Sequence, residues 1–126
     1  MLRPALICRI LVVDDDVDYL HTLAALLRGP RHEIRFAING HAALEAASDF
    51  HPHLVLLDMG LPDMDGCETA RRLKQLAGFV AQIVAVTARA GDEDRRRSFA
   101  AGCMLHLVKP VEMTMMEEVV ALAACG

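Results

Sequence analysis

Apolar and polar positions along the chain follow two periods that take turns. Ile10-Leu11-Val12-Val13 and Leu54-Val55-Leu56-Leu57 are unbroken apolar runs of strand length, as expected for strands covered on both faces of a parallel sheet. Gln82-Ile83-Val84-Ala85-Val86-Thr87-Ala88 and Met104-Leu105-His106-Leu107-Val108 predict two more strands. Ile34-Arg35-Phe36-Ala37-Ile38 instead alternates, which predicts an edge strand with one wet face.

Between the strands the period becomes helical. After Val17, residues Leu20, Leu23, Ala24 and Leu27 mark a helix, with Asp16 or Asp18 as its cap and Gly29-Pro30 as its stop. Asn39-Gly40 turns the chain into an alanine-rich helix over residues 41–48, and residues 69–76 predict a helix with Arg71, Arg72 and Lys74 outward, ending at Gly78. Gly91 to Gly102 predicts a fourth, capped by Asp92, with Arg95, Arg96 and Arg97 exposed and Phe99 and Ala100 turned inward. Glu112 to Ala124 predicts a fifth, packed through Met115, Val119 and Leu122. Five strands alternating with five helices predict an α/β fold: a doubly wound parallel sheet with right-handed crossovers and helices on both faces, three layers in all. No linker or repeat interrupts the pattern, so residues 1–126 are expected to form one domain.

Composition adds mostly exclusions. The hydrophobic share of 54% rules out a disordered chain, and 126 residues can bury a core without disulfides or a structural metal. A net charge of -4 gives no reason to expect direct contact with nucleic acid or an anionic membrane. No apolar run approaches the roughly 18 to 20 residues of a membrane helix. The stretch from Met1 to Val13, carrying Arg3 and Arg9, makes a poor signal peptide. Cys8, Cys67, Cys103 and Cys125 lack metal-binding spacing and suit apolar filling in a reducing compartment, so the cytosol is expected.

The chemistry stands at the strand ends. Strand one runs into Asp14, Asp15 and Asp16, strand three into Asp58, strand four into Thr87 and strand five into Lys109. Open parallel sheets bind ligands beyond the carboxyl ends of their strands. Taken alone, Asp58 is most simply a turn residue, and helix capping explains one or two of the adjacent aspartates. Converging carboxylates, however, raise one another's pKa and destabilise a fold unless something neutralises them. Asp14, Asp15 and Asp58 are balanced by one divalent cation together with Lys109. All-oxygen ligands select a hard ion, Mg²⁺ or Mn²⁺, which keeps waters and leaves a position for a phosphoryl oxygen. Asp58 can then attack phosphorus while the cation and Lys109 take up charge and Thr87 hydrogen-bonds a phosphate oxygen.

With these residues in view, the sequence resembles the receiver domain of two-component response regulators over Arg9 to Ala124. Four segments carry the likeness, in order: Leu11-Val12-Val13-Asp14-Asp15-Asp16, Leu57 through Gly66, Val86-Thr87-Ala88 and His106-Leu107-Val108-Lys109-Pro110-Val111. The resemblance implies a flavodoxin-like sheet in the order 2-1-3-4-5. It makes Asp58 the phosphoacceptor, Asp15 a direct Mg²⁺ ligand, Asp14 a ligand through water and the Gly60 carbonyl a further ligand. Thr87 and Lys109 would hold phosphoryl oxygens, Lys109-Pro110 would be cis, and the small Ala88 would leave the site open. The donor would be a histidine kinase or histidine phosphotransfer protein, docking over helix one near Val17 and Leu20. Such a domain is not an enzyme but takes part in its own phosphotransfer and autodephosphorylation, which Gly60 and Arg89 would tune. Helix four, strand five and helix five would form the output face, with Met113, Met116, Arg95 and Arg96 candidates for a partner or self-association surface. The wording Gly-Leu-Pro-Asp-Met-Asp-Gly and His-Leu-Val-Lys-Pro-Val resembles receivers attached to hybrid sensor kinases. His106 departs from the Tyr or Phe of many members: it is either a variant switch or a half-exposed surface histidine.

Two rivals belong to other classes. Haloacid dehalogenase phosphatases also use a strand-end aspartate, but need an acid/base aspartate two residues later, where this chain has Gly60. An interaction module that keeps the fold without phosphorylation is hard to square with a full set of pocket residues.

Overall fold

The computed structural model of the chain describes residues 7–122. Along it run β1 (Cys8–Val13), α1 (Val17–Leu27), β2 (His32–Ala37), α2 (Gly40–Phe50), β3 (Leu54–Leu57), α3 (Gly66–Gln75), β4 (Gln82–Thr87), α4 (Asp92–Ala100), β5 (Leu105–Val108) and α5 (Met113–Val120). The strands form one parallel sheet in the order β2-β1-β3-β4-β5, as the alternation and the family resemblance predict.

The continuous apolar runs sort by the strand period of two. Leu11, Val13, Val55, Leu57, Ile83 and Ala85 face α2 and α3, with Ala43, Ala47, Ala70 and Leu73 packed on them. Ile10, Val12, Leu54, Leu56, Val84 and Val86 face the other way, onto Leu20, Leu23 and Leu27 of α1 and Met116, Val119 and Val120 of α5. All four residues of β3 are buried, each worth about 1.5–3 kcal/mol relative to exposure, which is why the central strand can be this short. β2 lies at the edge, as predicted, but the alternation misplaces its covered face: Phe36 and Ile38 are exposed, and Ala37 is buried.

Caps set the helix starts. Asp16 accepts from the backbone N–H of Tyr19, Asn39 from that of Ala42 and Asp65 from that of Cys67. Asp92 does not cap α4; Gly91 precedes the helix and makes no side-chain cap bond, and Asp92 is the first helical residue.

The packed faces of the last two helices differ from expectation. Phe99 is 49% exposed and Ala100 is also exposed, while Ser98 is the one buried residue of α4. The hydrophobic pattern missed this because α4 meets the sheet through a polar partner on β5. In α5 the buried residues are Met116, Val119 and Val120, whereas Met115 and Leu122 are exposed. The inner stripe follows i, i+3, i+4 spacing rather than i, i+4, i+7. Met116 therefore leaves the set of surface candidates, and Leu20, 2% exposed, leaves the docking surface to Val17. Ala124 and Cys125, at the expected end of this helix, and Arg3, in the N-terminal stretch, lie outside the described residues. Among the described residues, no helix is long and apolar enough to cross a membrane.

Candidate functional site

The sheet register brings the chemistry to one edge. Val13 stands opposite Leu57 and Leu57 opposite Ala85, so the residues after β1 and β3 emerge side by side. The backbone N–H of Asp58 donates to the Val13 carbonyl at 2.9 Å, and that of Lys109 to the Thr87 carbonyl at 2.9 Å. Those ladder ends hold Asp14, Asp58, Thr87 and Lys109 on the same rim.

Carboxylate oxygens of Asp14, Asp15 and Asp58 lie within 4.8 Å of one another. Lys109 Nζ sits 2.5 Å from Asp14 Oδ2 and 3.7 Å from Asp58 Oδ2. Asp14 is 2% exposed and its second oxygen accepts from the Asp16 N–H at 2.9 Å. Burial pushes the Asp14 carboxyl above its ordinary pKa, by more than the bonds from Lys109 and Asp16 pull it down. Burial works against the charge of Lys109 as well, but the bond to Asp14 and the charges of Asp58 and Asp14 hold its pKa above the usual value. One ammonium thus faces three carboxylates. The donor set is all oxygen, and it lacks positive charge in the amount that a hard divalent cation supplies.

Asp58 Oδ1 accepts from the Gly60 N–H at 3.0 Å, which aims the carboxylate at the loop. A Cβ on Gly60 would lie 3.8 Å from Asp58 Oδ1 and 4.0 Å from the guanidinium of Arg89, so Gly60 lies close to both of those side chains. The loop itself is clamped. Asp63 accepts from the N–H groups of Gly40 and His41 at 2.7 and 3.0 Å, tying it to the start of α2. The bonds from Gly40 and His41 hold the Asp63 carboxyl well below the ordinary carboxylate range, against the opposing effect of desolvation.

Thr87 is 1% exposed, and its Oγ1 accepts from the Arg89 N–H at 3.2 Å. Its hydroxyl is therefore engaged with the β4–α4 turn rather than with the carboxylates. Lys109-Pro110 is cis, as expected.

The model of the response regulator receiver domain family fits residues 10–121, which include all four of these strand ends. The chain belongs to the response regulator receiver domain family.

Among curated relatives, the transcriptional regulatory protein ZraR of Salmonella typhimurium is 36% identical over 109 residues, 86% of this chain and 24% of that protein. The transcriptional regulatory protein PrrA of Mycobacterium tuberculosis is 35% identical over 102 residues, 81% of this chain and 43% of that protein. The chain thus spans less than half the length of these relatives, about a quarter of the first. Among solved structures, a CheY-like receiver domain protein from Methanospirillum hungatei superposes with a TM-score of 0.83 at 29% identity, covering 91% of each chain. The BeF3-activated receiver domain of Klebsiella pneumoniae RstA does so with a TM-score of 0.83 at 26% identity, over 91% of this chain and 97% of that one.

Three features of this receiver domain escaped sequence reasoning. His106 is not half-exposed on the surface: it is 6% exposed, with Nε2 2.8 Å from the Arg89 carbonyl and Nδ1 2.8 Å from Ser98 Oγ. Arg97 reaches Asp65 at 3.2 Å, joining α4 to the cap of α3. The ring of Tyr19 lies under Lys109, 4.5 Å from ring centroid to Nζ. Of the three, His106 was singled out in the sequence without its partners, whereas Tyr19 left only a weak trace, two residues beyond the start of a helix that opens on the acidic run.

Proposed function

We propose that this chain is a phosphorylation switch in which Asp58 accepts a phosphoryl group from the phosphohistidine of a histidine kinase or phosphotransfer protein. A bond forms from an Asp58 carboxylate oxygen to phosphorus while the phosphorus–nitrogen bond breaks, and the imidazole leaves with the electron pair and takes a proton from solvent. The observation that carries this reading is the meeting of Asp14, Asp15 and Asp58 within 4.8 Å around the ammonium of Lys109.

Asp15, Asp58 and the Gly60 carbonyl would hold Mg²⁺ or Mn²⁺, with Asp14 acting through water. Both oxygens of Asp14 already accept bonds, from Lys109 and Asp16, which suits an indirect role. The bound cation would supply charge against the transferring phosphoryl oxygens. Lys109 adds a second positive charge, and Thr87 turns its hydroxyl from the Arg89 N–H towards a phosphoryl oxygen. Release of that turn loosens the β4–α4 connection, which His106 also holds, and so reaches α4.

The donor docks over α1 beside Val17, which is 51% exposed. Output leaves through α4, β5 and α5, where Arg95, Leu107, Val111 and Met115 line a shallow groove. The chain turns over no external substrate; it takes part in its own phosphorylation and dephosphorylation, with Gly60 and Arg89 beside the path of the hydrolytic water. It works in the cytosol, in keeping with the free, buried thiols of Cys67 and Cys103. Intact-mass analysis with a small phosphodonor and Mg²⁺ tests the reading. A gain of one phosphate that needs Mg²⁺ and disappears in Asp58→Asn is expected; a gain that persists in Asp58→Asn overturns the assignment.

A further inference from the structure

Tyr19 is the single tyrosine of the chain, and its place beside the acidic rim is built by local structure. Its backbone N–H donates to Asp16 Oδ1 at 3.1 Å, so the residue stands in the first turn of α1. The ring is partly buried and packs against the cluster that contains Val12, Leu23, Val86 and Met116. It cannot swing away without opening that packing. The face of the ring meets the ammonium of Lys109, 4.5 Å from centroid to Nζ, on a group already 2.5 Å from Asp14 and 3.7 Å from Asp58.

An aromatic face attracts a cation through its quadrupole and needs no particular N–H direction, whereas a carboxylate oxygen holds one hydrogen along one line. The ammonium is therefore held in two ways at once: directionally by Asp14, and loosely but continuously by Tyr19. A leucine could fill the same space in the core but would do nothing for the charge, leaving water to surround it whenever Asp14 lets go.

We propose that Tyr19 is a positioning residue for Lys109, its ring keeping the ammonium over the acidic rim while it exchanges Asp14 for the oxygens of a phosphoryl group on Asp58. The proposal rests on the phosphoacceptor reading for the second half of that exchange; the hold on Lys109 in the resting state stands independently of it.

Tyr19→Phe keeps the ring without the hydroxyl, and Tyr19→Leu keeps packing without the ring, with Tyr19→Met in reserve should the leucine variant not fold. Two measurements are made on each: the NMR resonances of the Lys109 ε-methylene, which a ring face shields, and the rate of Mg²⁺-dependent phosphorylation by a small phosphodonor, followed by intact mass. In Tyr19→Leu the Lys109 resonance moves to an unshielded position and the rate falls roughly fivefold to tenfold, while Tyr19→Phe restores both to within about twofold. Magnesium affinity, measured by calorimetry, stays the same in all three, because Tyr19 offers the cation no ligand. A leucine variant with the wild-type resonance or the wild-type rate overturns the proposal, as does a phenylalanine variant as slow as leucine. If the wild-type chain takes up no phosphoryl group at all, the phosphoacceptor reading fails separately. The proposal then loses its second half, and the Lys109 resonance in Tyr19→Leu decides whether the ring holds the ammonium.

Discussion

Lys109 and Asp14 are 95 positions apart in the chain and 2.5 Å apart in the fold. Their pairing neutralises one of three clustered carboxylates, and Lys109, 3.7 Å from Asp58, offsets only part of the negative charge that remains. Magnesium should therefore stabilise the folded state by mass action, by about 1.4 kcal/mol at ten times its dissociation constant. Scanning calorimetry should show the midpoint rising with Mg²⁺ in the wild type and barely moving in Asp15→Asn. An equal rise in both would place the cation elsewhere.

Ser98 is the buried residue that fastens α4, and a proton count defines how. The Arg89 carbonyl can only accept, so His106 Nε2 carries a hydrogen towards it. Ser98 Oγ has one hydrogen for two neighbours, the Arg95 carbonyl at 2.9 Å and His106 Nδ1 at 2.8 Å. Ser98→Ala strands Nδ1 in a buried position and should cost about 1–3 kcal/mol. Because α4 buries no other side chain, its amides should lose exchange protection first, ahead of those in β3. Uniform loss of protection across the sheet and α4 would mean that Ser98 contributes to global stability without anchoring the helix.

Much of this was legible in the sequence, for identifiable reasons. Unbroken apolar runs at 10–13 and 54–57 define buried parallel strands, and polar residues that end them have one edge to occupy, so Asp14, Asp15, Asp58 and Lys109 could be placed together from order alone. Periodicity failed where a helix packs through polarity. The sequence ranked Phe99 above Ser98 because it scores apolar character, and could not know that His106 waits across the interface. Tyr19 was passed over because its partner, Lys109, comes from the far end of the chain. Contacts between distant positions are legible only when both members belong to a recognised pattern.

Two glycines should respond differently to alanine. A Cβ on Gly66 would lie 2.4 Å from the Met59 Cα and 3.1 Å from the Asp58 carbonyl oxygen, so backbone on both sides would have to shift. Gly66→Ala should lose about 2–4 kcal/mol and displace the loop that carries Gly60 and Asp63. Gly78 has φ of +75° with open space around it, so Gly78→Ala meets only backbone strain, about 1 kcal/mol. Urea unfolding of the two variants should separate them clearly; similar losses would contradict the close approach at Gly66.

Alkaline pH offers a test of the core between α3 and α4. Cys103 is 5% exposed, and burial, helped by the neighbouring Cys67 thiol, pushes its pKa from 9.0 up to about 11. A thiol is neutral while protonated, so the folded state holds this proton more tightly than the unfolded chain does between those two values. The associated stability is complete below pH 9 and is lost as pH rises towards 11, reaching about 2 kcal/mol. Cys103→Ala removes this titration while leaving a small apolar side chain in place. Under reducing conditions, the fall in unfolding free energy between pH 8 and pH 11 should be smaller in Cys103→Ala by about that amount. Equal falls would show that ionisation of Cys103 carries no such cost and that its surroundings admit water.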